Sequence, residues 1–155
     1  MLRGIEMDIE GMMDAACPRN VSAEAYSPLN LAYVGDAVFS LLVRSEVVAK
    51  GNMSVGRQNE QVKAVVRAGA QAAMYHSLMP ILAEDELAVL KRGRNAKTFS
   101  RAKSASMSDY RHATGVEALF GYLYIKGQNA RIIELFQMCQ ERADKPDGKK
   151  NEVSI

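Results

Sequence analysis

Apolar residues recur at intervals of three and four along most of the chain, and the apolar stretches are too long for β-strands. This pattern predicts an all-α domain. The first long helix should begin at Pro28, since proline fits a first helical turn, and end near Lys50, where Gly51 provides a stop signal. The second should run from Val55 to about Ser77.

Three further helices are predicted, with a basic loop between the first and the second of them. Their bounds are about Glu84–Lys91, Ser108–Lys126 and Ala130–Arg142, and the loop spans Arg94–Met107. Gly93 and Gly127 are expected to end the first two of these helices. The last helix should direct five apolar side chains inward, namely Ile132, Ile133, Leu135, Phe136 and Cys139.

The length of the chain, 155 residues, fits one domain that can bury a core without cross-links. We expect this domain to span residues 26–142, after a partly helical N-terminal segment, residues 1–25, and before a disordered polar tail, residues 143–155. The N-terminus lacks the features of a secretory signal, and no stretch is apolar enough to span a membrane. The sequence therefore predicts a cytoplasmic protein without a membrane partner.

The distribution of charge is more informative than the net charge of +2. Residues 91–111 contain seven Lys or Arg and one acid, a net charge of +6, whereas the rest of the chain carries −4. The segment could be an ordinary solvated loop. A polyanionic partner is favoured because the second of two unusual acidic residues follows closely.

Those two acids, Asp36 and Glu117, lie alone in the two most apolar stretches of the chain. A carboxylate taken out of water without a partner costs several kcal/mol, so it is protonated, paired or bound to a cation. Each has a glycine nearby, Gly35 or Gly121, and glycine weakens a helix interior by roughly 1 kcal/mol. Packing of the two glycines against each other would bring the carboxylates together, as a shared metal requires.

The alternative for either acid is a structural role, in which it accepts hydrogen bonds from a neighbouring helix. The two histidines, His76 and His112, belong to no recognised catalytic or zinc-binding arrangement, and we assign neither a catalytic role.

Two motifs resemble those of a known family. Residues 31–38, Leu-Ala-Tyr-Val-Gly-Asp-Ala-Val, are similar to the signature helix of the ribonuclease III catalytic domain, and residues 117–124, Glu-Ala-Leu-Phe-Gly-Tyr-Leu-Tyr, to its second motif. Residues 91–97, Lys-Arg-Gly-Arg-Asn-Ala-Lys, look like the Mini-III branch, which lacks a double-stranded-RNA-binding domain. The resemblance covers about residues 26–142.

The resemblance implies a Mg²⁺-dependent endoribonuclease that cleaves double-stranded RNA, with Asp36 and Glu117 as catalytic, metal-binding residues. Ala32 and Thr114 occupy positions where the larger enzymes of the family have two further acids, so we expect one firmly held Mg²⁺. The implied RNA-binding residues are Arg92, Arg94, Asn95, Lys97 and Lys103. Tyr33 is implied at the interface of a homodimer.

By the same resemblance, the substrate is the precursor of large-subunit (23S) ribosomal RNA, and the products carry a 5′-phosphate and a 3′-hydroxyl. A ribosomal protein bound to the precursor is a further candidate partner. Two alternatives stay open. One is a catalytically silent module of this fold that binds RNA or ribosomes, and the other is a helical interaction domain without a nucleic-acid role.

Overall fold

The structure, a computed structural model, describes residues 22–97 and 106–143. These residues form six α-helices and two short 3₁₀ helices and contain no strand, which confirms the predicted all-α class. The helices are α1 (Pro28–Ala49), α2 (Val55–Val66), α3 (Ala68–Leu78), α4 (Glu84–Asn95), α5 (Met107–Ile125) and α6 (Asn129–Ala143). The 3₁₀ helices are Ala23–Ala25 and Met79–Ile81. Most of the N-terminal segment, most of the predicted basic loop and the tail beyond residue 143 lie outside the described residues.

Helix α5 is the centre of the fold. It packs against α1, α3, α4 and α6, so its faces are covered from Ala113 onward. Its buried residues form an almost continuous run, Ala113, Thr114, Gly115, Val116, Ala118, Leu119, Phe120, Gly121, Tyr122 and Leu123. A helix surrounded in this way must be apolar around its circumference, which explains why its sequence shows no polar stripe.

The predicted ends of the long helices are confirmed. The first ends before Gly51, at φ 118°, and α5 ends before Gly127, at φ 71°, both in the left-handed conformation that glycine adopts without strain. The side chain of Ser106 caps α5 by accepting a hydrogen bond of 3.0 Å from the backbone N–H of Asp109.

The single helix predicted over residues 55–77 is wrong, because the chain forms two helices there, α2 and α3. The break is at Arg67, whose backbone is extended, with φ −63° and ψ 149°. Since α2 packs against α1 while α3 packs against α5, the chain must change direction between them. No proline or glycine stands at the break itself, and Gly69 lies within α3, so we attribute the break to tertiary packing.

The predicted end of the next helix is also wrong. Gly93 does not stop α4, which continues to Asn95. A Cβ atom at Gly93 would lie 2.8 Å from the Cα of Gly115, closer than real Cβ contacts, so this glycine permits close packing of α4 on α5. Arg92, Arg94 and Asn95 are therefore helical, whereas Arg94 and Asn95 were expected in a loop.

Helix α6 buries four of its five predicted core side chains. The exception is Ile133, which is 42% exposed. Cys139 is buried as expected, and burial raises the pKa of its thiol to about 11. Over residues 22–97 and 106–143, no helix is both long and apolar enough to cross a membrane.

The crossing of α1 and α5 depends on two glycines. A Cβ atom at Gly35 would overlap the backbone carbonyl of Glu117 and lie 2.8 Å from the backbone nitrogen of Gly121. A Cβ at Gly121 would overlap the carbonyl of Leu31. The two helix backbones are thus in direct contact, as the paired glycines predicted, and any larger side chain would force them apart.

We predict that Gly35→Ala destabilises the fold by at least about 3 kcal/mol, because the added methyl meets backbone rather than a movable side chain. Urea unfolding followed by circular dichroism measures the effect. The matched control is Gly56→Ala in α2, where a Cβ has no neighbour within 4 Å, and its stability should be unchanged or higher by up to about 1 kcal/mol. Equal stabilities of the two variants would contradict the crossing described here.

Candidate metal site

The crossing of α1 and α5 brings the two acidic residues together. Asp36 follows Gly35 on α1, and Gly35 lies against the backbone of Glu117 on α5. The charge of Asp36 raises the pKa of Glu117, so the two carboxyl groups are near enough to repel each other. The expectation that these two acids, 81 positions apart in the sequence, lie close together in space agrees with this geometry.

The two carboxyl groups have different surroundings. Glu117 is partly buried, whereas Asp36 is exposed on the surface of the protomer. The premise that both acids are withdrawn from water is therefore wrong for Asp36. The apolar residues that flank Asp36 in the sequence suggested burial. They lie on other faces of α1, where Leu31 and Phe39 are buried.

Burial and the neighbouring acid together shift the protonation of Glu117. Withdrawal from water is the larger cause and repulsion by Asp36 the second, while the side chain of Gln71 partly offsets both. Together these effects raise the pKa of Glu117 to about 7 from an ordinary value of 4.5. In the protein without a cation, this group therefore titrates near neutral pH.

The chemistry of the pair fits a hard divalent cation. Carboxylate oxygens are the ligands that Mg²⁺ prefers, and a cation between Asp36 and Glu117 would relieve the repulsion that raises the pKa of Glu117. In the described parts of the chain, no three or more His, Cys, Asp and Glu side chains converge as a set of metal ligands. The protein would thus supply two side chains, which suits Mg²⁺, an ion that keeps several of its waters.

The predicted RNA-binding residues that the structure describes lie at the end of α4. Arg92, Arg94, Asn95 and Lys97 are all exposed, and Gly93 among them contacts α5 at Gly115, two residues before Glu117. Arg92 also donates a hydrogen bond of 3.5 Å to the backbone carbonyl of Tyr26. The basic end of α4 is therefore fixed to the helix that carries Glu117. Lys103 lies outside the described residues.

Comparison with known proteins decides the family. The model of the ribonuclease III domain matches residues 29–128. A Mini-ribonuclease 3 of Brevibacillus brevis is 50% identical over 73% of this chain and 84% of its own length. A Mini-ribonuclease 3 of Symbiobacterium thermophilum is 46% identical over 74% of this chain and 88% of its own length. The chain belongs to the Mini-ribonuclease 3 family.

A solved structure has a similar fold. The crystal structure of a protein from Fusobacterium nucleatum superposes with a TM-score of 0.69 and 30% sequence identity, over 77% of this chain and 95% of that one. The expected fold and the expected enzyme class, an endoribonuclease, are thereby confirmed. The catalytically silent alternative and the interaction-domain alternative are set aside.

The two positions where larger ribonuclease III enzymes were expected to have further acids carry no carboxylate in this chain. Ala32 is buried, and the hydroxyl of Thr114 donates a hydrogen bond of 3.0 Å to the backbone carbonyl of Tyr110. The two-carboxylate site is thus not extended from either position.

Tyr33 and the two histidines were the other side chains considered in the sequence. Tyr33 is 85% exposed on α1, although it is aromatic. The rings of His76 and His112 lie 4.8 Å apart, and both contact the ring of Tyr75. Within the described parts of the chain, the side chains that shift the pKa of Glu117 are those of Asp36 and Gln71, and the two histidines are not among them.

Gln71 is the residue of this site that the sequence analysis missed. It is 1% exposed, lies on α3 and interacts with the carboxyl group of Glu117. A signal was available, because Gln71 is the one polar residue in the run Ala68–Met74 and has the helical spacing of the buried Tyr75 and Leu78. A polar side chain on an apolar helix face needs a partner.

We predict that Glu117→Gln stabilises the metal-free protein at high pH. The pKa of Glu117 is higher in the folded chain than in the unfolded one, so folded protein retains a proton that unfolded protein releases, and stability decreases between pH 4.5 and about 7. The neutral amide avoids this loss, on the order of 3 kcal/mol at most. Unfolding in EDTA at pH 4 and pH 8 measures it.

The variant should exceed the wild type in stability at pH 8 and differ little at pH 4. Glu60→Gln, an exposed position on α2, serves as the control and should show no such dependence. A difference between Glu117→Gln and the wild type that stays constant from pH 4 to pH 8 would contradict the shifted pKa.

Proposed function

We propose that this chain is a Mg²⁺-dependent endoribonuclease that cleaves double-stranded RNA. The observation that carries the proposal is the pairing of Asp36 with Glu117 at the crossing of α1 and α5, inside the matched ribonuclease III domain. Two carboxyl groups that repel each other at a helix crossing contribute nothing to stability. A cation that binds both would account for their placement.

In the proposed mechanism, Asp36 and Glu117 would hold Mg²⁺ through carboxylate oxygens. The ion would supply activation of water and neutralisation of phosphate charge, the two requirements of phosphodiester hydrolysis. Glu117 must be ionised to act as a ligand. Its shifted pKa means that cation binding releases a proton from part of the molecules at neutral pH.

The exposed basic end of α4 is the proposed contact for the RNA backbone. Arg92, Arg94, Asn95 and Lys97 are exposed donors, and Lys103 is proposed as a further contact. A-form RNA hides its base edges in a deep, narrow groove, so contacts of this kind recognise shape and phosphate charge. Their attachment to α5 through Gly93 and Gly115 fixes the bound phosphate chain relative to Glu117.

We propose that the substrate is the precursor of 23S ribosomal RNA, cut within a stem to leave a 5′-phosphate and a 3′-hydroxyl. This follows from the resemblance to the Mini-III branch, and the family assignment supports it. Such a substrate places the activity in the cytoplasm, where a ribosomal protein bound to the precursor could present the stem.

Two strands require two cuts, and we propose that a homodimer provides them. The exposed side of α1 supports this proposal, because Leu29, Tyr33 and Leu41 are 40%, 85% and 52% exposed on it. Tyr33 is the side chain that we expect to enter a socket on the partner. Asp36 is exposed on the same helix, so dimerisation would enclose part of the site.

We predict that Asp36→Asn and Glu117→Gln each reduce cleavage of an RNA duplex by more than about 100-fold, since each removes a cation ligand. The assay uses a labelled duplex at low salt with Mg²⁺, and circular dichroism verifies that the variants fold. Glu60→Gln, which changes an exposed acid on α2 in the same way, should cleave like the wild type. Cleavage at the wild-type rate by both site variants would refute the proposed function.

We predict that replacing both Arg94 and Lys97 with Ala weakens binding of the RNA duplex and lowers the slope of log affinity against log salt by roughly 1 to 2, because two phosphate contacts are lost. Binding is measured in Ca²⁺, without cleavage, at several salt concentrations. Lys63→Ala, an exposed cation on α2, is the control and should leave the slope unchanged. An unchanged slope in the double variant would exclude the end of α4 as the contact.

A further inference from the structure

Two buried side-chain atoms have no hydrogen-bond partner within residues 22–97 and 106–143, and both belong to α3. They are Nε2 of Gln71 and the hydroxyl of Tyr75, which are one helical turn apart. A buried donor without a partner costs about 1 to 3 kcal/mol, and such groups are few in folded proteins. Each such atom calls for an explanation, and for Gln71 a neighbouring residue offers one.

The neighbouring residue is Glu117 on α5. The side chain of Gln71 is 1% exposed and lies on α3, which packs against α5. It interacts with the carboxyl group of Glu117 in the sense that favours the ionised form, as an amide N–H donor does. Its Nε2 nevertheless makes no hydrogen bond of ordinary geometry. Gln71 therefore lies close to the carboxyl group of Glu117, while its buried amide donor has no partner at ordinary hydrogen-bond distance.

We propose that Gln71 is a positioning residue, whose side-chain amide donates to one carboxylate oxygen of Glu117 and leaves the other oxygen directed at a cation shared with Asp36. This inference rests on the proposed function, since it concerns the same cation. Glu117 would then be held from two sides, by Gln71 on α3 and by the cation next to α1. Orientation of a ligand by a second hydrogen bond is common at metal sites.

The chemical type of residue 71 suits this role. A lysine there would neutralise Glu117 and compete with the cation, and an acid would add a third repelling charge. A leucine or methionine would fill the space but leave the carboxylate without a donor. An amide supports the ionised carboxylate and brings no charge of its own.

The test measures binding of Mn²⁺ to the protein without RNA, from the electron paramagnetic resonance signal of the free ion at pH 8. Mn²⁺ favours oxygen ligands as Mg²⁺ does. Gln71→Met preserves volume and removes the donor, and we expect its dissociation constant for Mn²⁺ to rise about tenfold, with circular dichroism unchanged. Gln71→Asn keeps an amide but withdraws it by one methylene, and we expect a comparable rise.

Tyr75→Phe is the matched control, because it removes the other unpartnered buried atom from the same helix and should leave Mn²⁺ affinity unchanged. Affinities within twofold of the wild type for both Gln71 variants would overturn the positioning role. If one of the two Gln71 variants fails to fold, the Mn²⁺ affinity of the other tests the positioning role.

Glu117→Gln separates this inference from the proposed function. Loss of Mn²⁺ binding in Glu117→Gln together with unchanged binding in the Gln71 variants would refute the role of Gln71 alone. Wild-type Mn²⁺ binding in Glu117→Gln would refute the site itself, and the role of Gln71 with it.

Discussion

The direct contact between the backbones of α1 and α5 is the constraint on which the rest of the structure depends. Gly35 and Gly121 allow it, since a Cβ at either position would overlap a backbone carbonyl. A second close contact, between Gly93 and Gly115, fixes α4 to the same central helix. The acid pair and the basic end of α4 are therefore both positioned relative to α5, by contacts that leave almost no freedom to shift.

This arrangement lowers stability in a way that the proposed metal site would explain. The fold holds Glu117 partly buried beside Asp36, which raises the pKa of Glu117 to about 7 and makes its ionised form unfavourable. A neutral side chain at position 117 would destabilise the fold less, and a bound cation would remove the repulsion between the two carboxylates. The side chain of Gln71, on α3, favours the ionised form of Glu117. The proposed positioning role would explain why this polar side chain is buried.

Local signals in the sequence predicted the features that depend on neighbouring residues. Gly51 and Gly127 marked helix ends because their left-handed backbone is needed there. Gly93 was also predicted to end a helix, but it lies inside α4 and permits close packing on α5. Its role becomes clear only from its contact with α5 in the folded chain. The break at Arg67 has no local signal and arises from the different partners of α2 and α3. The proximity of the two acids was foreseen from their paired glycines, whereas Gln71 becomes visible only when α3 is packed on α5.

The central claim is that one divalent cation binds Asp36 and Glu117 together. Anomalous diffraction from crystals grown with Mn²⁺ at pH 8 tests it most directly, because the ion is located without reference to activity. The account predicts an anomalous peak within coordination distance, roughly 2.0 to 2.3 Å, of carboxylate oxygens from both residues. A peak bound by only one of them, or the two carboxyl groups turned apart with no ion between, would contradict it.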